Sequence, residues 1–311
     1  MTPTYTFSGG LATLLVTATV SIGAQQPPAA ADAPVVLAAG DIARCDILGG
    51  AVATARLLDR LPGTILTLGD NAYESGAPAE FEKCYAPTWG RHLDRTRPAP
   101  GNHDYRTRNA AGYFGYFGDR AGPPGLGYYS FDLGTWHIIS LNSAIAVDPR
   151  SPQGKWLAKD LAAHPTECTL AYFHVPVYSS GPHGSRTEAE DNRAERGVLD
   201  MHDLWRPLAE AGTDVVLSGH DHDYERFAPL DAKGRSDAVN GTRQFVVGTG
   251  GGGVYRFKTI APHSEVRDNS SYGVLKLVLL PGRYEWTFVA VEGQSFTDAG
   301  TGTCSPVRPP R

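Results

Sequence analysis

The sequence predicts a single layered α/β domain, and three observations support that prediction. From Pro34 onward, short apolar runs typical of buried strands alternate with stretches of helical periodicity. The 36 glycines and 23 prolines predict many turns and long connecting loops, which suit an enzyme better than a helical bundle. No internal repeat, low-complexity tract or interdomain linker interrupts the chain after residue 34, so one domain accounts for it.

The individual elements follow from the spacing of apolar residues. Uninterrupted apolar runs indicate strands that are buried on both faces, and apolar residues three and four apart indicate helices. The predicted strands are Val35–Ala39, Thr64–Leu68, Trp136–Leu141, Thr169–Phe173, Asp214–Leu217, Gln244–Val247, Gly273–Leu280 and Tyr284–Val291. The predicted helices are Leu48–Leu61, Gln153–Ala163 and Val198–Ala211.

The N-terminal region has the features of an export signal. Its apolar stretch, Leu11–Ala24, has about 14 residues, whereas roughly 20 are needed to span a bilayer. Small residues end this stretch and a Gln-, Pro- and Ala-rich segment follows it, as in a cleaved signal peptide. We therefore predict a signal peptide over residues 1–24, a linker over 25–33 and the folded domain over 34–311. Because the first ten residues lack Lys and Arg, a disordered tail is the alternative.

Composition and charge exclude several classes of protein. Hydrophobic residues make up 41% of the chain and charged residues 20%, a balance typical of a globular protein rather than a disordered or fibrous one. The net charge is −5 and no run of Lys and Arg occurs, which argues against nucleic acid held by a basic patch. Outside the N-terminal region, no stretch is long and apolar enough for an integral membrane span.

Metal-competent side chains follow the ends of five chain segments. In open α/β sheets, binding sites form beyond the carboxyl ends of the strands, so these side chains are expected to converge. Each motif alone is weak, because a Gly-Asp pair after a strand is usually a turn. The ordered set is what indicates a metal site. It consists of Gly40-Asp41, Gly69-Asp70-Asn71-Ala72-Tyr73, Gly101-Asn102-His103-Asp104, His174 and Gly219-His220-Asp221-His222.

Four cysteines form an even set without a C-x-x-C pair, which in an exported protein favours two disulfides. Three pairings are possible. We favour Cys45–Cys84 and Cys168–Cys304, the first because both cysteines follow early metal-competent segments. In a cytosolic protein, four buried thiols would be the alternative.

The ordered set resembles the calcineurin-like metallophosphoesterase family, and within it the purple acid phosphatase branch. The family's first motif usually reads D-x-H, whereas this chain has Asp41-Ile42-Ala43. Purple acid phosphatases also lack that histidine and use the tyrosine of G-D-x-x-Y, which is Tyr73 here. The resemblance covers residues 34–291 and implies a layered β-sandwich flanked by helices (α-β-β-α). Asp41 follows the predicted cleavage point so soon that the small single-domain type is expected.

The resemblance also implies two metal ions and their ligands. Oxygen and imidazole ligands without thiolate suit Fe, Zn or Mn, and a phenolate favours Fe(III). We therefore expect Fe(III) paired with divalent Fe, Zn or Mn. One ion would take Asp41, Tyr73, His222 and the shared Asp70, and the other would take Asp70, Asn102, His174 and His220.

The implied activity is that of a secreted enzyme that hydrolyses phosphomonoesters by in-line attack of a metal-activated hydroxide. His103 is expected to contact the substrate, with Asp104 holding its tautomer. An ordinary turn residue is the alternative for Asp104. His183 is expected to bind substrate or protonate the leaving group, with a solvated loop histidine as its alternative.

Two other functions remain open on the sequence alone. The motifs indicate the metal chemistry but do not indicate which group leaves the phosphate. A phosphodiesterase or nucleotide hydrolase with the same metal site is therefore the alternative. A hypothesis of another class is a non-catalytic exported binding protein on this fold. The oligomeric state has no signature in the sequence.

Overall fold

Two mixed β-sheets form the centre of the fold. The computed structural model describes residues 33–183 and 200–305, together with residues 1–4 and 6. Residues 7–32 carry the apolar stretch of the predicted signal peptide and nearly all of the predicted linker, and they lie outside the described residues. Residues 198 and 199, where the third predicted helix would begin, also lie outside them.

Fifteen strands and five helices occur in chain order within these described ranges. The strands are β1 Val35–Ala39, β2 Ala43–Arg44, β3 Thr64–Leu68, β4 Ala72–Tyr73, β5 Thr96–Ala99, β6 Tyr129–Leu133, β7 Trp136–Ser140, β8 Cys168–Tyr172, β9 Val215–Ser218, β10 Tyr224–Phe227, β11 Arg243–Val247, β12 Ser264–Asp268, β13 Gly273–Leu280, β14 Arg283–Ala290 and β15 Ala299–Thr303. The helices are α1 Gly49–Arg60, α2 Pro78–Glu80, α3 Ala111–Phe117, α4 Pro152–Ala163 and α5 His202–Ala211. Short helical turns also occur at Phe81–Tyr85, Trp89–Arg95, Arg108–Ala110 and Gly118–Ala121.

The first sheet has the strand order β15-β14-β13-β1-β3-β5, and the second has the order β12-β10-β11-β9-β8-β7-β6. Within the first, β1, β3 and β5 run parallel. Within the second, β7, β8, β9 and β11 run parallel. Parallel strands point their carboxyl ends in the same direction, so each sheet presents one edge at which loops can assemble a site.

The two sheets share one apolar core, and a second core lies on the outer face of the second sheet. Along β8, Leu170 and Tyr172 belong to the core shared with the first sheet. Ala171 and Phe173 belong to the other core, together with Trp205 of α5. This alternation follows from the two-residue period of a strand.

Helices cover the outer faces of both sheets. Helix α1 packs on the first sheet, and Ala51, Ala55 and Leu58 join its core. Helices α4 and α5 cover the second sheet, with Leu157 and Leu204 buried against it. The sandwich flanked by helices that the family resemblance implies is therefore confirmed.

Several elements are absent from the sequence prediction. Strands β6, β12 and β15 lie at sheet edges and none of their residues is fully buried, so they have no continuous apolar run. Strand β5 has four residues and contains Pro98, which weakens a strand pattern. The aromatic residues around Tyr113 lie in α3, with Tyr113 and Phe117 buried.

Two disulfides join distant parts of the chain. Cys45 pairs with Cys84 at a Cα–Cα distance of 5.4 Å, and Cys168 pairs with Cys304 at 5.3 Å. The favoured pairing is therefore confirmed. The second bond joins the first residue of β8 to the residue after β15, and so connects the two sheets. In the part of the chain that the structure describes, no helix is long and apolar enough to cross a membrane.

Candidate metal centre

The loops after β1, β3, β5, β8 and β9 meet where the carboxyl ends of the two sheets face each other. Backbone hydrogen bonds join these loops directly. The N–H of Asp41 donates to the oxygen of Gly69 at 3.1 Å, and the N–H of Gly219 donates to the oxygen of His174 at 2.9 Å. The convergence expected from the motif positions is therefore present.

One set of side chains brings three donor atoms together. The hydroxyl of Tyr73 lies 2.7 Å from Oδ1 of Asp41 and 3.1 Å from Nε2 of His222. The same His222 nitrogen lies 3.2 Å from Oδ1 of Asp41. All three side chains are buried, and their donor atoms are aimed at one another.

A second set is centred on His174. Its Nε2 lies 2.9 Å from Oδ1 of Asn102, 3.0 Å from Nδ1 of His220 and 3.4 Å from Oδ2 of Asp70. Ligand atoms of Asp70, His174 and His220 all lie within 4.8 Å of one another. The other ring nitrogen of His174 contacts the backbone oxygen of Leu68 at 2.8 Å, which orients the ring toward the site.

Three of these residues have a backbone conformation that side chains rarely adopt. Asp41, Asp70 and His220 have φ angles of 61°, 48° and 71°, and each directly follows a glycine. Backbone strain of this kind persists only where the surroundings hold it, and it clusters at functional sites. Here this backbone conformation directs the side chains of Asp41, Asp70 and His220 toward the edge at which the two sheets meet.

Glycines let backbone pass close to the donor atoms. A Cβ on Gly101 would lie 2.1 Å from Oδ1 of Asp70, so no larger residue fits there without a shift. In the glycine run 248–253, the N–H of Gly252 donates to the oxygen of Asp41 at 2.7 Å. A Cβ on Gly250 would lie 2.4 Å from the oxygen of Gly40. The run thus brings backbone close to the edge at which the donor atoms meet.

The electrostatics of the donor atoms favour cations. Burial acts to lower the pKa of His174, yet the neighbouring Asp70 carboxylate raises it to about 10. Burial and the Asp41 carboxylate raise the pKa of Tyr73 well above its usual value. Tyr73 can therefore lose its proton only when a positive ion lies close to its oxygen. The buried oxygens and imidazoles are the donor set that such an ion prefers, so the residues present fit metal ions.

His103 lies beside both sets. Its backbone N–H donates to Oδ1 of Asp70 at 2.8 Å, and its ring lies 4.5 Å from the ring of Tyr73. Ring nitrogen Nδ1 contacts the backbone oxygen of Glu74 at 2.7 Å. Because a carbonyl oxygen only accepts, Nδ1 carries a proton, and Nε2 lies 3.9 Å from Oδ2 of Asp70.

Asp104 does not hold that tautomer, so the role predicted for it is wrong. Its buried carboxylate accepts from the backbone N–H of Gly101 at 2.9 Å and the side chain of Asn71 at 3.0 Å, while Nδ1 of His103 contacts the oxygen of Glu74. Burial raises the pKa of Asp104 to about 7. Asp104 thus stabilises the turn that carries Asn102, which is the alternative considered above.

His183 lies on the other side of the centre. Its Nδ1 and its backbone N–H lie 3.0 and 3.1 Å from Oδ1 of Asp221. Its ring centroid is 4.8 Å from that of His220. The histidine is partly exposed, and so has access to both the centre and solvent.

Two residues at the centre were not singled out from the sequence. Asp221 is fully buried and also accepts from the hydroxyl of Ser179. Tyr255 stacks on His222 with the centroids 4.0 Å apart and the planes 13° apart. The position of Asp221 between two candidate ligands was a usable signal. Tyr255 follows the glycine run without any periodic pattern, so nothing in the sequence marks it.

Comparison with known proteins places this geometry in a family. The family model described as calcineurin-like phosphoesterase matches residues 34–224, which include all of the candidate ligands. The chain belongs to the calcineurin-like phosphoesterase family. Among curated relatives, Purple acid phosphatase 15 of Arabidopsis thaliana is 30% identical over 206 residues, covering 55% of this chain and 37% of the relative. Acid phosphatase type 7 of Homo sapiens is 29% identical over 147 residues, covering 42% and 32%.

Solved structures confirm the fold of this family member. A purple acid phosphatase from yellow lupin (Lupinus luteus) seeds aligns with a TM-score of 0.66 at 18% identity, over 88% of this chain and 54% of that one. PhoD aligns with a TM-score of 0.63 at 12% identity, over 91% and 71%. The matches to the two curated relatives span only about a third of their length, 37% and 32%.

Proposed function

We propose that this protein is a secreted binuclear metallophosphoesterase that hydrolyses phosphomonoesters. The observation that carries the proposal is the meeting of two donor sets, buried except for the partly buried Asn102, at one edge of the sheets. Asp41, Tyr73 and His222 approach within 3.2 Å of one another. His174 approaches Asn102, His220 and Asp70 within 3.4 Å. The similarity to purple acid phosphatases supports the choice of phosphate esters as substrates.

Each donor set would hold one metal ion, with Asp70 shared between them. We propose Fe(III) beside the phenolate of Tyr73 and divalent Fe, Zn or Mn in the set around His174, since these ions accept oxygen and imidazole ligands. When bound, the two ions would activate a water and stabilise the charge on the phosphoryl group. Neutral Asn102 keeps the number of carboxylates low, which leaves positive charge to attract a phosphate anion.

Two histidines would act on the substrate itself. In its doubly protonated form, His103 can donate from Nε2 to a phosphoryl oxygen while the oxygen of Glu74 holds its Nδ1. His183 can give a proton to the leaving oxygen while Asp221 holds its Nδ1. Both roles need only side chains that are already oriented by hydrogen bonds.

Export is supported by two features of the chain. Disulfides persist in oxidising compartments, and this chain carries two of them. The apolar N-terminal stretch ends in small residues, as a signal peptide does. We propose a signal peptide over residues 1–24, a linker over 25–33 and the catalytic domain over 34–311.

The direct test is the hydrolysis of p-nitrophenyl phosphate and of bis(p-nitrophenyl) phosphate by metal-replete protein across acidic to neutral pH. Faster hydrolysis of the monoester supports the proposal. Faster hydrolysis of the diester would identify phosphodiesters or nucleotides as the substrate class. The proposed metal centre would still stand in that case. If neither ester is hydrolysed, the protein is a non-catalytic binding protein on this fold.

The assignment of iron predicts that Tyr73→Phe removes any visible phenolate–iron absorption and lowers the iron content. The phenyl ring keeps the packing of Tyr73 while it removes the oxygen that lies 2.7 Å from Asp41. Tyr85→Phe is the matched control, because Tyr85 is also buried and its hydroxyl has no hydrogen-bond partner among the residues that the structure describes. Absorption and iron content should be measured together, and unchanged values in Tyr73→Phe would contradict the assignment.

The role of His183 predicts a dependence on the leaving group. His183→Gln should slow the hydrolysis of an alkyl phosphate by about 10²–10⁴-fold, because an alkoxide needs a proton to leave. It should slow p-nitrophenyl phosphate much less, because p-nitrophenolate leaves without one. His202→Gln is the control, since His202 bonds to Asp200 and belongs to neither donor set. If the rates for the two substrates fall by the same factor, His183 binds substrate and does not protonate the leaving group.

A further inference from the structure

A second group of metal-competent side chains lies away from the proposed catalytic centre. His137 is the second residue of β7, at the opposite end of that strand from the catalytic edge. Asp160 lies in α4, and His164 directly follows that helix. Ligand atoms of these three residues all lie within 4.8 Å of one another. None of the three takes part in the function proposed above.

The contacts of His137 indicate that this group needs an additional positive charge. Its ring is 2% exposed, with Nδ1 at 2.9 Å from Oδ1 of Asp132 and Nε2 at 2.9 Å from Oδ2 of Asp160. A neutral imidazole has a single N–H, so one of the two contacts would place a lone pair against a carboxylate oxygen. Either a second proton or a metal ion removes that conflict.

His164 supplies a second imidazole at the same place. Its ring stacks on His137 with the centroids 4.3 Å apart and the planes 13° apart. Two stacked imidazolium ions would repel each other, so at least one of the rings is neutral and offers a lone pair. The Nδ1 of His164 lies 2.9 Å from the backbone oxygen of Asp160, a contact that commonly orients metal-binding histidines.

We propose that His137, Asp160 and His164 bind a divalent transition metal ion, for which Zn²⁺ is the probe. Imidazole and carboxylate ligands suit Zn²⁺, Ni²⁺ and Cu²⁺. Asp160 and His164 are four residues apart, the spacing at which a helix presents two ligands on one face. Side-chain exposure of 41% at His164 leaves the site open to solvent. The bound ion joins the end of α4 to β7.

The test compares Zn²⁺ binding by the full chain and by His164→Ala after both have been stripped with a chelator. Equilibrium dialysis with elemental analysis counts the ions, and a competing indicator gives the affinity. Wild type should bind one Zn²⁺ more than His164→Ala, or bind that ion at least about tenfold more tightly. His202→Ala is the matched control, because His202 is 39% exposed, bonds to Asp200 and lies outside the group.

A second measurement separates this site from the catalytic centre. In an Asp70→Asn background, Zn²⁺ should still raise the melting temperature, and adding His164→Ala should abolish that rise. His164→Ala alone should leave phosphatase activity unchanged. If His164→Ala binds Zn²⁺ with the stoichiometry and affinity of wild type, the proposal is overturned. A protonated His137 then bridges Asp132 and Asp160 without any metal.

Discussion

We expect Asp70→Asn to lower the rate of hydrolysis of p-nitrophenyl phosphate by more than about 100-fold. Mutating a residue that only supports a metal ligand already costs about 10–100-fold in activity, and Asp70 is itself a proposed ligand. Asp70 is the proposed shared ligand, and its carboxylate contacts both His103 and His174. Oδ1 accepts from the backbone of His103 at 2.8 Å, and Oδ2 lies 3.4 Å from Nε2 of His174. Asparagine keeps the size of the side chain and removes the negative charge, so both metal sites are weakened together.

The fold should survive this substitution. Asp70 has a φ of 48°, a region in which asparagine is enriched among non-glycine residues. Melting temperature and metal content should be measured beside kcat/KM, so that a loss of activity can be assigned to the site. Asp119→Asn is the matched control, because Asp119 is an exposed carboxylate outside both donor sets. Near-normal activity with a full metal complement in Asp70→Asn would contradict its role as shared ligand.

We expect the second large effect from removing the Cys168–Cys304 disulfide, for example with Cys168→Ala and Cys304→Ala together. The two cysteines are separated by 136 residues, and for a loop of this length chain entropy predicts a loss of about 5 kcal/mol in the free energy of unfolding. The bond also holds β15, which lies at the edge of the first sheet beside β14. Loss of the disulfide should therefore allow β15 to unfold before the rest of the first sheet.

Denaturant unfolding of the metal-loaded protein measures this effect. The Cys45–Cys84 pair, separated by 39 residues, is the comparison, with about 4 kcal/mol expected from the same model. Asp214 accepts hydrogen bonds from the backbone N–H of Thr169 at 2.8 Å and of Ser305 at 2.6 Å. These two bonds still link the residues next to Cys168 and Cys304 when the disulfide is removed. Phosphatase activity at low temperature should be retained. Stability within about 1 kcal/mol of wild type would show that the sheets hold β15 without the disulfide.

Most interior strands were predictable from the sequence and edge strands were not, and the interior strand β10 was missed because it has only four residues and includes Glu225 and Arg226. Strands β1, β3 and β13 have the predicted bounds, because their apolar runs reflect burial on both faces. The predicted bounds of β7, β8, β9, β11 and β14 differ from those observed by one residue at one or both ends. Edge strands such as β12 and β15 have partly exposed residues, so their positions depend on their partners in the sheet rather than on their own pattern.

The candidate ligands were predictable because each follows a strand, and parallel strands end at a common edge. The role of Asp104 was not predictable, since the direction of a side chain within a turn depends on backbone groups such as the N–H of Gly101. The contact between His183 and Asp221 joins residues 38 positions apart. No local pattern encodes a contact of that kind.

The sequence by itself determined the fold class, the order of most interior strands along the chain and the family to which the site motifs belong. These features are local, because they depend on periodicity and on which residue follows a strand. The tertiary structure decided which donor atoms meet, how Tyr255 stacks on His222, and that His137, Asp160 and His164 form a separate group. Such contacts arise only when the two sheets and their helices pack, because packing brings together residues that are far apart in the chain.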